Sequence, residues 1–548
     1  MNMKKAGQVF VFLCICISAV AQSPADSLRA RPKLVVGIMV DQMRWDFLYR
    51  YYDRYGSGGF KRLLADGFSC ENTLINYLPS FTAVGHSTVF TGSVPSIDGI
   101  AGNDWIDQMT GKRYYCTDDS TVTSVGVKNS MEGKMSPRNL LVSTITDELR
   151  IATNFQSRVV GISLKDRAAI LPAGHSANAA FWFDDSMARF ITSSYYMKEL
   201  PDWVSRFNGK NLVKQLISKG WSTLQPVSSY GESDADNMPY EGRFPGETSS
   251  SFPHDLKSIY AKSKVSFRST PFGNTLTLEF AKAAIENYQL GSGASTDFLT
   301  INVASTDYVG HQFGPNSIEI EDTYLRLDKD LADFFRLLDE KVGRGQYLIF
   351  LTADHGVANS IGYMQAHNLP ADYWYGAKVA DTLNKVLSAK FHVPSLVRSL
   401  LNYQVNFDLR RIAENDLDFT AVKNASVDFL QRLPGISYAA DMAFIGRYPI
   451  PKKLQEMMIN GYNYKRSGQV QIILNSGWFD AYNKTGTTHG NWNPYDTHIP
   501  LLWYGWHIAR GHSNREMYMT DIAPTIAALL HVQMPNGCIG QPIPEVIK

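Results

Sequence analysis

The sequence has 548 residues, 44% of them hydrophobic, with 53 basic against 52 acidic side chains and a net charge of +1. That balance excludes a broad basic surface for nucleic acid or anionic lipid and leaves room only for a local anion site. The length permits a large core with insertions.

At the N-terminus, Lys4 and Lys5 precede an apolar run from about Val9 to Val20, and Ala19-Val20-Ala21 stands just before Gln22. A positive start, a short apolar stretch and a small-residue cleavage signal read as a secretory signal peptide over 1–21, with a mature chain at 22–548. The run is shorter than the ~20 residues a membrane span needs, and no later stretch is long and apolar enough. The expectation is a periplasmic or secreted chain with no membrane span after cleavage. Cys70, Cys116 and Cys538 remain after processing. In an oxidising compartment one disulfide and one leftover thiol are expected, with Cys70 and Cys116 the favoured pair because both flank the candidate nucleophile.

Five short aliphatic runs read as buried parallel strands: Leu34–Val40, Val159–Leu164, Phe298–Val303, Tyr347–Leu351 and Ile499–Tyr504. Helical patterns lie between them. The clearest starts near Ser317, places Leu327, Leu331, Phe334, Phe335 and Leu338 on one face, and stops at Gly343. Alternation of strands and helices predicts an α/β sandwich around a mostly parallel sheet. The intervals at about 180–275 and 360–485 break this rhythm and read as insertions that rim or cover a site; the first holds a polar run over 228–251 that reads as loop.

Ligands of open α/β sheets gather at the carboxyl ends of strands. Here the first strand ends in Asp41, the second leads to Lys165 and Arg167, the third to Asp307 and His311, and the fourth to Asp354 and His355. Asp307 and His311 share a face if the chain turns helical after the strand. His489 lies in Thr488-His489-Gly490. Singly these are surface pairs, turns or caps. Together, carboxylates and imidazoles without thiolates suit a catalytic zinc site.

The segment from Pro79 to Thr88 reads as a turn entering a helix, whose N-terminus favours an anion. Thr82 is the candidate nucleophile, since metal coordination makes a threonine hydroxyl reactive. A helix cap is its plain alternative, and Ser80 is the competing nucleophile. Lys165 and Arg167, two apart, point to one side of an extended segment and suit phosphate oxygens. Asn103 offers a further amide donor.

These residues resemble the alkaline phosphatase superfamily, and within it the PafA-type phosphate-irrepressible enzymes of bacteria. The order Asp, Thr, Asp-x-x-x-His, Asp-His, His runs from Asp41 toward Gly505 and covers most of the mature chain. The resemblance implies an alkaline-phosphatase-like sandwich with helices on both faces of the sheet and inserted cap segments. It implies two Zn²⁺ per chain, one on Asp307, His311 and His489, the other on Asp41, Asp354, His355 and Thr82. Asn103, Lys165 and Arg167 match the groups that hold the phosphoryl oxygens. Asp98 stands where related sequences often carry histidine, outside the ligand set.

The implied activity is hydrolysis of phosphate monoesters through a phosphothreonine at Thr82. Lys165 and Arg167 favour a dianionic monoester over a monoanionic diester. A phosphodiesterase or nucleotide pyrophosphatase of the same superfamily is the runner-up and should lack this cationic pair. A sulfatase would need a Cys or Ser followed by x-Pro-x-Arg, which none of the three mature cysteines shows. A secreted protein that binds phosphorylated ligands without turnover, and an envelope-lipid phosphotransferase, are further alternatives. Partners are small-molecule monoesters, not nucleic acid, and a monomer is favoured.

Overall fold

The strands that carry the site begin as aliphatic runs with no polar residue to expose. Leu34–Val40 reads LVVGIMV, and all seven residues are buried. Such runs bury both faces of a strand, as parallel strands between helix layers require. The computed structural model describes residues 30–481 and 484–547; the expected signal peptide at 1–21 lies outside them. Pro32–Lys548 form one compact unit.

The strands in chain order are β1 (Leu34–Val40), β2 (Phe68–Leu74), β3 (Asp104–Ile106), β4 (Arg113–Tyr115), β5 (Ser124–Val125) and β6 (Val159–Ile162). Next come β7 (Ala179–Asp184), β8 (Arg189–Ser193), β9 (Asp297–Val303), β10 (Tyr347–Thr352), β11 (Asp372–Trp374), β12 (Val397–Ser399) and β13 (Gln404–Phe407). The last are β14 (Ile436–Asp441), β15 (Val470–Leu474), β16 (Trp478–Asp480), β17 (His498–Ile499), β18 (Leu501–Gly505) and β19 (Gly511–Tyr518).

One mixed sheet of 11 strands organises the molecule. Its middle is parallel, in the order β10-β1-β9-β6-β7. Antiparallel strands flank this middle: β18, β2 and β17 on one side, β8 and β5 on the other, with β19 parallel to β2. Met39 pairs with Thr352 and Val40 with Val303, so β1, β9 and β10 finish level with one another. That register brings their following residues to one edge.

The fifth expected parallel strand is a correction. Pro500 splits Ile499–Tyr504 into β17 and β18, and both pair antiparallel. Proline has no N–H for the ladder, and a fully buried run has the same composition in either direction. The disulfide expectation also fails. Cys70, Cys116 and Cys538 are free thiols. Cys70 sits in the β2 ladder beside Ser513 of β19, whereas Cys116 follows the β3–β4 hairpin and donates its N–H to Asn103 O at 2.9 Å. Flanking one segment in sequence does not place two residues on neighbouring elements.

The helices that matter for the site are α1 (Thr82–Thr91), α2 (Asp166–Ala173), α3 (Phe272–Tyr288), α4 (Ser305–Phe313), α5 (Ile318–Leu338), α6 (Gly376–Phe391) and α7 (Phe419–Leu430). α5 is the helix read from the sequence. Ser317 Oγ accepts from Ile320 N at 3.2 Å, the expected apolar face is buried, and a wider turn runs on to Gly343 at φ +106°.

Part of the 180–275 interval belongs to the main sheet, as β7 and β8. Its polar run carries no strand or α-helix over 228–251. The 360–485 interval builds a second sheet, β12-β13-β15-β14, with its own core. Leu383 and Leu387 of α6, Val422 and Leu430 of α7, and Val405, Phe407, Val470 and Ile472 of the strands are buried together there. Phe81, the residue before Thr82, packs against this cluster.

β1 is the strand on which the level ends depend, and it carries Gly37 at its centre. A Cβ there would lie 2.5 Å from Phe350 Cζ and 3.1 Å from Phe90 Cζ. Gly37→Val is expected to destabilise the fold by roughly 1–3 kcal/mol, the usual effect of overpacking a filled core, read as a lower denaturation midpoint.

Candidate active site at the carboxyl ends of the central strands

β1 delivers Asp41, whose N–H bonds Val303 O of β9 at 3.2 Å. β9 turns directly into α4, so Asp307 and His311 stand one turn apart on one face, with His311 Nε2 3.1 Å from Asp307 Oδ1. β10 ends before Asp354 and His355, both fully buried. β6 leads to Lys165, which is extended at φ −95°, ψ 131° and starts α2. The expected extended pair is therefore half right: Arg167 lies in the first helical turn. His489 arrives from the loop after β16.

The carboxylates converge. Lys165 Nζ lies 2.8 Å from Asp41 Oδ2 and 2.6 Å from Asp307 Oδ2, with no exposed surface of its own. His355 Nε2 is 3.3 Å from Asp354 Oδ2 and 3.7 Å from Asp41 Oδ1. His489 stacks on His355 with ring centroids 3.4 Å apart, and its Nε2 is 3.8 Å from Asp307 Oδ1. Burial and the neighbouring Asp354 push the Asp41 carboxyl well up. Burial also opposes ionisation of Asp307, but His311 and Lys165 outweigh it and hold that carboxyl well down. Burial, with His355 and His311 beside it, holds the His489 imidazole neutral.

The same residues fit divalent cations. His311 Nδ1 donates to Thr487 O at 2.8 Å, His355 Nδ1 to Gly356 O at 2.9 Å and His489 Nδ1 to Ser80 O at 2.7 Å. Each backbone bond occupies Nδ1 and leaves Nε2, the nitrogen a cation would take, facing the cluster. Asp41 Oδ1 and Asp354 Oδ2 are buried and accept no hydrogen bond, an arrangement that costs free energy unless a cation faces them. Two groups, Asp307 with His311 and His489, and Asp41 with Asp307 and His355, each gather their donor atoms within 4.8 Å. Nitrogen and oxygen donors of this mix are those zinc accepts.

Thr82 is the first residue of α1, after Phe81 in extended conformation. Its hydroxyl caps nothing and lies 3.4 Å from His355 Nε2. Ser80 is differently placed: its Oγ donates to Asn491 O at 2.9 Å. Asn103 Oδ1 accepts from Ala83 N at 2.9 Å, which orients its amide at the N-terminus of α1. Arg167 Nη1 donates to Tyr115 OH at 3.0 Å, while its buried Nε has no partner. A guanidinium edge without a carboxylate partner suits an oxyanion. Asp98 Oδ1 accepts from Ile100 N at 2.8 Å, and burial pushes its carboxyl up to about 7.

Sequence patterns do not single out four supporting residues. Gln42, in the left-handed region at φ +64°, uses its side chain on Asp307 Oδ1 (2.7 Å) and its N–H on Asp354 Oδ1 (3.1 Å). His86, one turn after Thr82, has Nδ1 2.8 Å from Thr82 O and 3.4 Å from Asp354 Oδ2; its i, i+4 spacing from Thr82 is the one signal that sequence offers. Asn302 Nδ2 donates to Asp41 Oδ2 at 3.3 Å. Asn402, far along the chain at φ +60°, donates Nδ2 to Asp104 O at 2.8 Å and so braces the loop that carries Asn103.

An α/β sheet whose parallel centre ends in buried carboxylates and imidazoles, beside a hydroxyl at a helix N-terminus, defines a chain built to hold cations and an anion together. The chain belongs to the type I phosphodiesterase / nucleotide pyrophosphatase family, whose model matches residues 35–498, in the alkaline phosphatase superfamily. It is 54% identical over 518 residues to alkaline phosphatase PafA of Elizabethkingia meningoseptica, covering 94% of this chain and 95% of that protein. A Myroides odoratus protein named calcium-transporting ATPase is 51% identical and covered in full by this full chain. Alkaline phosphatase PhoV of Synechococcus elongatus is 51% identical, with 95% and 94% covered. The crystal structure of wild-type alkaline phosphatase PafA matches with a TM-score of 0.93 at 54% identity, over 95% of this chain and 99% of that one. A further structure of PafA carries substitutions at one threonine, one asparagine, one lysine and one arginine.

Gly85 lets α1 approach β10. A Cβ there would sit 2.4 Å from Asp354 O and 2.6 Å from Asp354 Cβ. Gly85→Ala is expected to displace Asp354 and to weaken any binding of a divalent cation such as zinc by about 10- to 100-fold, the range for lost support of a ligand. Zinc titration calorimetry reads the change; unaltered affinity removes Asp354 from the site.

Proposed function

We propose that this chain hydrolyses phosphate monoesters through a phosphothreonine formed on Thr82, with two zinc ions. The observation that carries the reading is the convergence of three buried carboxylates and three imidazole Nε2 atoms on one strand edge, with the Thr82 hydroxyl among them. Two close relatives are named alkaline phosphatases. The four residue types altered in the PafA variant have the spacing of Thr82, Asn103, Lys165 and Arg167 here.

Asp307, His311 and His489 would hold one zinc, and Asp41, Asp354, His355 and Thr82 the other. Bound zinc supplies Lewis acidity, which lowers the pKa of a hydroxyl and stabilises oxyanions. The remaining steps fall to the chain. The Thr82 hydroxyl gives its proton to solvent, Oγ1 bonds to phosphorus as the phosphorus–oxygen bond of the ester breaks, and the alcohol leaves with a proton from solvent. Water then cleaves the bond between phosphorus and Oγ1, releases inorganic phosphate and restores the threonine. The N-terminus of α1, Asn103 and the open edge of Arg167 face the transferred oxygens, which positions them and stabilises their charge. Lys165, which lies against Asp41 and Asp307 here, would add a second cation once zinc takes those carboxylates. Together the two cations favour the dianion of a monoester over a diester, and so separate this chain from the diesterases of its family. The name of the Myroides relative includes ATP hydrolysis, and cleavage of a terminal phosphoryl group is the same chemistry.

Several further readings go with this function. Residues 1–21 are a signal peptide, the mature chain is periplasmic or secreted and monomeric, and the 360–485 segment caps the site. Among the described residues no helix is long and apolar enough to cross a membrane.

An aryl phosphate monoester is expected to be cleaved far faster than the matching diester, and Arg167→Ala to cost about 100-fold in kcat/KM on the monoester, the scale of one lost oxyanion donor. Preference for the diester overturns the reading. Asn402→Ala is expected to lower kcat about 10- to 100-fold through misplacement of Asn103 with zinc content unchanged; unchanged kcat shows that Asn103 needs no brace.

A further inference from the structure

A cavity of about 500 Å³ opens beside the nucleophile, between Phe81 and His489 on one wall and the cap on the other. None of Asn103, Lys165 and Arg167 lines it. In an in-line displacement the leaving oxygen departs from the side opposite the nucleophile, while the other oxygens stay with their donors. The cavity is therefore placed for the part of the substrate that is not phosphate. We propose that it binds the organic group of the monoester and that it favours a group bearing an ammonium over one bearing an anion. This rests on the monoesterase reading above.

The lining carries the charge preference. Asp381 is exposed on α6 and makes no ion pair among the described residues. Asp480 Oδ1 accepts only the N–H of Gly376, at 3.0 Å. Burial raises the Asp480 carboxyl, so an ammonium beside it relieves a cost already present in the fold. Arg398 also reaches the lining, but its charge is matched: Nη2 lies 3.0 Å from Asp408 Oδ1. Its guanidinium covers Gly111 in the turn of the β3–β4 hairpin, where a Cβ would come within 2.8 Å of Cζ. Two carboxylates thus stand without counter-charge in a space that Phe81 and Tyr403 supply with aromatic faces. Aromatic rings with carboxylates are the chemistry that holds an ammonium.

The wall is also specified in shape. Asn402 and Tyr403 are consecutive non-glycine residues in the left-handed region, at φ +60° and +57°. Tyr403 OH accepts from Asp480 N at 3.3 Å, which ties the aromatic wall to the acidic one. Strained residues of this kind persist only where their surroundings hold them.

The test compares three monoesters of similar size on the intact zinc enzyme: choline phosphate, glycerol phosphate and phosphoglycerate. Their intrinsic reactivities differ, so the readout is the change in each kcat/KM between the wild type and Asp381→Asn/Asp480→Asn. The variant is expected to lose about tenfold on choline phosphate relative to glycerol phosphate, the scale of a partly screened ion pair, and to gain on phosphoglycerate. A uniform change across the three overturns the charge preference. Asp381→Asn alone, at an exposed position, gives the same ordering at smaller amplitude if the double variant folds poorly. Wild-type enzyme that cleaves none of the three removes the monoesterase reading itself, a result distinct from a uniform change.

Discussion

Three carboxylates buried within a few ångströms of one another are the constraint to which the rest of the structure answers. Asp41, Asp307 and Asp354 come from the ends of β1, β9 and β10, and each is at most 4% exposed. A carboxylate taken out of water without a partner costs several kcal/mol. One ammonium, Lys165, touches two of the three. Burial and the neighbouring Asp354 push Asp41 up, whereas His311 and Lys165 overcome burial at Asp307 and hold it down. The imidazoles relieve the shortage of positive charge only in part: His311 helps to hold Asp307 down, while burial keeps His489 neutral, and all three spend Nδ1 on a backbone carbonyl. A site of this composition is stable as a ligand shell.

Much local detail serves to keep that shell in register. The parallel middle of the sheet ends level, so three loops start side by side. Gln42 holds two of the carboxylates from a conformation that side-chain residues adopt at a cost. Gly85 allows α1 to lie against Asp354, which sets the Thr82 hydroxyl beside His355. The 360–485 segment reaches the same place through its core against Phe81 and through Asn402 and Tyr403. On the proposed reading, phosphate handling falls to the sheet edge and leaving-group handling to the inserted segment.

That these residues meet at one sheet edge was legible in the sequence because simple periodicities place them. A strand end followed by Asp, or an Asp and His four apart, needs only the element to be right. Direction was not legible: the β18 run is as apolar as β1, and only the tertiary arrangement makes it antiparallel. Neither was anything that depends on distant pairing. Asn402 braces a loop 298 residues away. The extended Lys165 was read correctly, but the helix that starts after it carries Arg167 round its first turn. Cys70 and Cys116 flank one segment in sequence and are free thiols in the fold.

The central claim is that this carboxylate cluster is a shell for two cations. Anomalous diffraction at the zinc edge, from crystals of the full mature chain grown with zinc, tests it most directly. The account predicts two peaks, one among Asp307, His311 and His489 and one among Asp41, Asp354, His355 and Thr82. Occupied protein with no peak at the strand edge, or with zinc only elsewhere, would contradict it.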